Sequence, residues 1–247
     1  MTTNVYDGAA KIVATDSRWT AEYTNEYGER CVWYCDEGFD KLMQSNGLVF
    51  MFAGDLQRIH EWKCWAVTSP TVSTRPKTDK TICICIFEAE TALLGFFHGT
   101  FVCDFIENQV SSAFAGTGAL SAYTCWSKNN CATTAVDTAK KNDLMSGGET
   151  KYYNFVDGKT NISSETETDF AVVLDTLHER GNTMSANDKE RIVQSADSAS
   201  NEEAFNLLAS MKAGTIRIEA PTFGAGKDWT DRDNTALDSF LSKHYPR

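Results

Sequence analysis

Residues 41–54 read KLMQSNGLVFMFAG, and the fold turns on how this stretch is read. Asn46-Gly47 is a two-residue hairpin signal, because both residues tolerate the positive φ that such turns demand. Residues 40–45 are strand-like, and beyond the turn LVFMFAG is an apolar run. Across a two-residue turn Lys41 falls opposite Phe52, next to Ala53-Gly54. On an open face that lysine is simply solvated. On a buried face it needs a partner such as Asp16, and burial lowers its pKa in the direction a catalytic lysine requires.

Outward from this hairpin the first half reads as strands. Residues 3–6 and 11–15 flank Asp7-Gly8, a second turn signal, and residues 30–36 are strand-like. DLQRIHEWKCW (55–65) has helical character, and a loop with Pro70 and Pro76 follows. Strands are expected at 81–88, 92–98, 101–106 and 110–115. After Gly118 the pattern changes: ALSAYTCWSK reads as a short helix and CATTAVDTAKKNDLM, ending at Met145, as a longer one. Its stripe Ala132, Val136, Ala139 suits packing on a sheet. KYYNFVDG returns to strand and turn. Beyond residue 163 three or four helices are expected, with one short strand at TIRIEA. Strand blocks interrupted by helices, without regular βαβ alternation, predict an α+β layered fold.

Composition narrows the function. The 247 residues carry a formal net charge of -11, which opposes nucleic acid or an anionic membrane as the main partner. Ser163–Glu203 holds ten acidic and three basic residues and reads as a solvated surface. No apolar run reaches the roughly 20 residues of a membrane span. MTTNVYDGAA lacks a secretory pattern, so a cytoplasmic location with reduced thiols is expected. The eight cysteines show no zinc-type spacing; Cys83 and Cys85, alternating in TICICIF, read as core. FGAGKDW lacks the P-loop spacing, and the four histidines show no ligand pattern. No cofactor and no metal are expected.

Two further features bear on chemistry. Asp143 continues the sheet-facing stripe at the C-terminal end of its helix, where the dipole disfavours an anion. Ser146-Gly147-Gly148 follows, so the segment is either a capping turn with a solvated aspartate or an Asp-x-x-Ser-Gly-Gly element aimed into a site. Thr2 stands directly after Met1. A free N-terminal threonine supplies a hydroxyl nucleophile and an amine that serves as its base.

Together and in this order, the segments resemble proteasome β subunits and the related HslV-type bacterial peptidases of the N-terminal-nucleophile (Ntn) hydrolase family. The resemblance runs from Thr2-Thr3 through Asp16-Ser17-Arg18, Lys41, FAGD and AGTGALSAY, with Thr117 in place of a serine, to NDLMSGGETKYYNF. It covers about residues 2–158 and implies a four-layer αββα sandwich: an Ntn-hydrolase core over 1–160 and a mostly helical C-terminal extension over 161–247. By this resemblance Thr2 attacks a peptide carbonyl, Asp16 holds Lys41, Gly54 N–H stabilises the oxyanion, and Asp143, Ser146 and Gly147 complete the site with Thr117. A peptide or unfolded-protein substrate, a homo-oligomer and an ATPase partner are implied. The other reading is a catalytically silent relative serving as a structural component of a ring or particle.

The chain also departs from that family. Only about 26 residues separate Gly54 from the strand at Thr81, where the family has two long helices, so one outer helix is expected to be missing. The first hairpin is short. A three-residue loop places Thr2 and Asp16 on one face and a two-residue loop does not. A retained Met1 would acylate the Thr2 amine and remove the base.

Overall fold

The computed structural model describes residues 2–245 apart from 69, 108, 165, 187, 196–201 and 223–225; Met1 therefore lies outside the described residues. Strands β1 (Asn4–Asp7) and β2 (Ile12–Asp16) open a five-stranded antiparallel sheet. It continues through β9 (Val102–Ile106), β10 (Gln109–Ala115) and β11 (Thr150–Asn154), in the order β11-β2-β1-β10-β9. Asp7 pairs with Ile12, so the connecting loop is four residues, 8–11.

The second sheet has nine strands. Its elements are β3 (Trp19–Thr24), β4 (Arg30–Cys35), β5 (Leu42–Ser45), β6 (Leu48–Asp55), β7 (Ile82–Glu88), β8 (Leu94–His98), β12 (Asn182–Ser185), β13 (Asp188–Ser195) and β14 (Glu219–Ala220). The main order is β13-β12-β4-β3-β14-β6-β7-β8, with β5 paired to β6. The hairpin read from Asn46-Gly47 forms in the expected register: Ser45 pairs with Leu48, and Phe52 N–H donates to Lys41 O at 3.0 Å.

The inner faces meet in one apolar layer that draws Tyr6, Val13, Ala113 and Tyr153 from the first sheet, and Val49, Met51, Cys85 and Phe87 from the second. On the outer face of the five-stranded sheet lie α2 (Ala119–Asn129) and α3 (Ala132–Asn142). There the small stripe Ala132, Val136, Ala139, joined by Ala135, packs on Val5, Ala14 and Phe114. On the outer face of the nine-stranded sheet lie α1 (Leu56–Val67), α4 (Phe170–Arg180), α5 (Glu202–Lys212) and α6 (Asp231–His244). Leu56, Ile59 and Trp62 of α1, Leu177 of α4, Met211 of α5 and Leu237 of α6 share that core with Trp19, Phe50 and Ile84. The described chain is thus mixed α+β, with two antiparallel sheets and six α-helices, an arrangement compatible with a sandwich.

Several expectations need correction. The first loop is neither two nor three residues but four. The helix expected to reach Met145 stops at Asn142, because Asp143 leaves the helical region (φ -117, ψ 117). Strand β3, absent from the sequence reading, follows directly on Arg18. The described residues beyond 163 supply three helices, as expected, and three strands, so they complete the larger sheet instead of only covering it. TIRIEA contributes just Glu219–Ala220. As expected, the described residues between Gly54 and Thr81 hold no second long helix after α1, only the short 3-10 turn Val72–Thr74; α4, α5 and α6 pack beside α1 on that face. TICICIF is buried on both faces, with Cys85 toward the other sheet and Ile82, Ile84 and Ile86 toward the helices.

Candidate active site

The end of β2 carries Asp16, and the residues before β1 fold back across it. Thr2 Oγ1 donates to Asp16 Oδ1 at 2.6 Å, and Lys41 Nζ donates both to Thr2 Oγ1 (2.7 Å) and to Asp16 Oδ1 (3.0 Å). By strict alternation a four-residue loop would turn Thr2 away from Asp16. The contact forms because Thr2 and Thr3 precede the regular strand, and Thr3 N–H also donates to Asp16 Oδ1 at 2.7 Å. The second carboxylate oxygen accepts from Gly147 N (3.0 Å) and Arg18 N (3.2 Å). Thr2, Asp16 and Lys41 are all 0 % exposed. Lys41 is therefore the buried lysine that needs Asp16. Burial pushes its pKa below the ordinary lysine value, and the Asp16 charge and hydrogen bond oppose that fall.

A second cluster sits against the first. Asp143, just past the end of α3, accepts through Oδ2 from Thr117 Oγ1 (2.8 Å) and Ser146 Oγ (2.8 Å), and through Oδ1 from Met145 N (3.2 Å). These donors offset the unfavourable position of an anion at a helix C-terminus. Ser146 Oγ lies 2.8 Å from Thr3 Oγ1, not from Thr2. The two consecutive threonines thus divide the work: Thr2 meets the Lys41–Asp16 pair and Thr3 meets the Ser146–Asp143–Thr117 chain. Glycine at 118 is what admits Thr3, since a Cβ there would come within 2.0 Å of Thr3 Oγ1 and 3.1 Å of Ser146 Oγ.

Gly54 enters by another route. It ends the buried run of β6 with φ +130, and a Cβ would strike Thr81 O at 2.0 Å. Its backbone pairs with Ile82 on one side and with Ala220 on the other.

A clamp that no motif or spacing in the sequence announces fixes this geometry. Arg18 reaches Asp36 through Nε (2.7 Å) and Nη2 (2.8 Å), donates to Leu144 O through Nη1 (3.1 Å), and lies over the Tyr34 ring. Ser17 Oγ donates to Asp36 O and accepts from Glu149 N. The clamp ties the β2–β3 corner to the 143–148 turn, so Asp16 and Asp143 are held from one hub. Asp36 gave no signal, being one acidic residue among many. Thr3 was visible beside Thr2 but had no spacing argument of its own. No protein-family model matches this chain, and no curated protein matches it.

Proposed function

We propose that this protein is a threonine-type N-terminal-nucleophile hydrolase that cleaves peptide bonds through an acyl-enzyme on Thr2. The observation that carries the reading is the three-way contact in which one hydroxyl sits 2.7 Å from a buried ammonium and 2.6 Å from a buried carboxylate. A hydroxyl so placed is primed for loss of its proton, because the Lys41 charge stabilises the developing alkoxide in a water-poor site. The proton would pass to the Thr2 amine once Met1 has been removed. Asp16 keeps Lys41 in place. Gly54 N–H is the oxyanion donor that the resemblance nominates, a contribution that typically amounts to about 2.7–4 kcal/mol of barrier; in this form the Gly54 backbone is paired with Ile82 and Ala220, so that role requires Ala220 to move aside. The Ntn family and its αββα fold belong to this proposal, supported by the order of motifs and by the two antiparallel sheets with helices on their outer faces.

One observation favours a second reading, a silent structural relative. Thr2 is 0 % exposed, so no substrate carbonyl reaches it in this form. The two readings separate on a quenched-fluorescence peptide assay with protein lacking Met1. Cleavage that disappears in both Thr2→Ala and Lys41→Ala supports the hydrolase; cleavage unchanged by Thr2→Ala sinks it.

A further inference from the structure

Lys63 is a buried lysine that the candidate site does not use. It lies on α1 at 4 % exposure. Its Nζ donates to Asp40 O (2.6 Å) and lies 4.1 Å over the Phe39 ring. Among the described residues no carboxylate comes within ion-pair distance of it. Phe39, Asp40 and Lys63 all line a cavity of about 500 Å³, together with β5 and with Lys151, Ser164 and Glu167. Both groups that the amine touches belong to that wall, so the amine stands at the cavity and not behind it. Thr2, Asp16 and Asp143 are not in the wall, and the cavity is separate from the candidate site. Its described charges already balance, two lysines against two acids. Asp40 Oδ2 accepts from Ser163 N (2.7 Å) while Oδ1 lies 3.8 Å from Lys151 Nζ, and Glu167 Oε1 accepts from Asp169 N (2.7 Å). An incoming anion gains little from such a wall. A neutral reagent that removes the buried charge gains more.

We propose that this cavity is a second reactive site, in which the Lys63 amine captures a small uncharged aldehyde as an imine. The amine nitrogen adds to the carbonyl carbon, and one of its hydrogens passes to the carbonyl oxygen. The resulting hydroxyl leaves as water with the second amine hydrogen, so that C=N replaces C=O. Nothing is oxidised or reduced, and no step involves Thr2. Lysine amines form such adducts when desolvation keeps part of the population neutral. Burial, opposed by the nearby Asp40, brings the Lys63 pKa down to about 8. Roughly a tenth of the molecules then carry the neutral amine at pH 7, against under about one in a thousand for an ordinary lysine. The uncharged imine also replaces a buried cation that no described carboxylate neutralises.

The test treats the full chain with propanal and cyanoborohydride, which reduces each imine to a stable propyl-lysine, and maps the label by peptide mass. Lys159, whose side chain is 76 % exposed, is the internal reference. At neutral pH and limiting reagent Lys63 should label at least ten-fold faster than Lys159, with a rate that rises to a plateau through about pH 8. Ser164→Trp, which narrows the cavity, should slow labelling of Lys63 several-fold and leave Lys159 unchanged. Labelling of Lys63 no faster than that of Lys159 in the wild type would overturn the inference without recourse to any variant. Fast labelling that Ser164→Trp leaves unchanged would also overturn it, because the reagent would then reach the amine by another route. Both readouts are independent of whether Thr2 is a nucleophile.

Discussion

Among the described residues two lysines are buried, Lys41 and Lys63, and they differ in what surrounds the ammonium. Lys41 is 0 % exposed, touches a carboxylate at 3.0 Å and hands a hydrogen bond to a threonine hydroxyl. Lys63, on α1, is 4 % exposed; its ammonium donates to the backbone oxygen of Asp40 (2.6 Å) and lies 4.1 Å over the Phe39 ring. Among the described residues no carboxylate stands within ion-pair distance of Lys63. Burial brings its pKa down to about 8, and Lys63 borders a cavity of about 500 Å³ rather than a hydroxyl nucleophile. A depressed lysine is thus a consequence of burial in both places. What sets Lys41 apart is the company of Thr2 and Asp16.

Lys41→Met should have the largest effect, because it would leave Asp16 buried without its counter-charge. Loss of one partner of a buried pair costs roughly 3–5 kcal/mol, so urea unfolding should show a destabilisation of that size. Pairing it with Asp16→Leu should restore much of the loss. Near-wild-type stability of Lys41→Met alone would mean that the pair is not enclosed as described.

Lys63 should show its burial in the pH dependence of stability. Its folded pKa lies below its unfolded value, so between pH 8 and 10.5 the unfolded chain binds more protons and stability rises with pH. Its contribution over that window is roughly 3 kcal/mol, from about 1.36 kcal/mol per pKa unit. Lys63→Met should flatten that part of the stability–pH curve and cost little at neutral pH; a curve with its slope unchanged would contradict the burial of Lys63. Next in size is the clamp. Arg18→Ala removes charge-assisted bonds to Asp36 and the hold on Leu144, at about 1.5–3 kcal/mol for a hydrogen bond to a charged group. Activity should fall further than stability, because the 143–148 turn loses its register. A loss of stability with peptide cleavage unchanged would place the clamp outside the site. The smallest change expected is Glu219→Gln. Desolvation first, then the nearby Asp55, raises the Glu219 pKa, so its ionised form weakens β14 as pH rises. The glutamine variant should slow hydrogen exchange at 218–220 at neutral pH, and faster exchange would contradict this.

How much of this was legible follows the same division. The Asn46-Gly47 hairpin, the alanine stripe of α3 and the contact of Lys41 with Asp16 were readable, because each rests on local turn chemistry, periodicity or the need of a buried charge for a partner. The split between Thr2 and Thr3 was not, since it depends on the chain leaving regular strand geometry before Asn4. Nor was Asp36, whose role exists only once Arg18 is folded against it. Strand β14 is an intermediate case: TIRIEA reads as a short strand and Glu219–Ala220 lie at its end, but its partners β3 and β6 lie far away in sequence and no local pattern names them.

Whether Thr2 is a nucleophile is decided by intact mass. Natural protein would be weighed before and after incubation with an epoxyketone selective for N-terminal threonine. A nucleophilic Thr2 requires that Met1 is absent and that one adduct forms, lost in Thr2→Ala. Retained Met1 with no adduct would contradict the hydrolase reading.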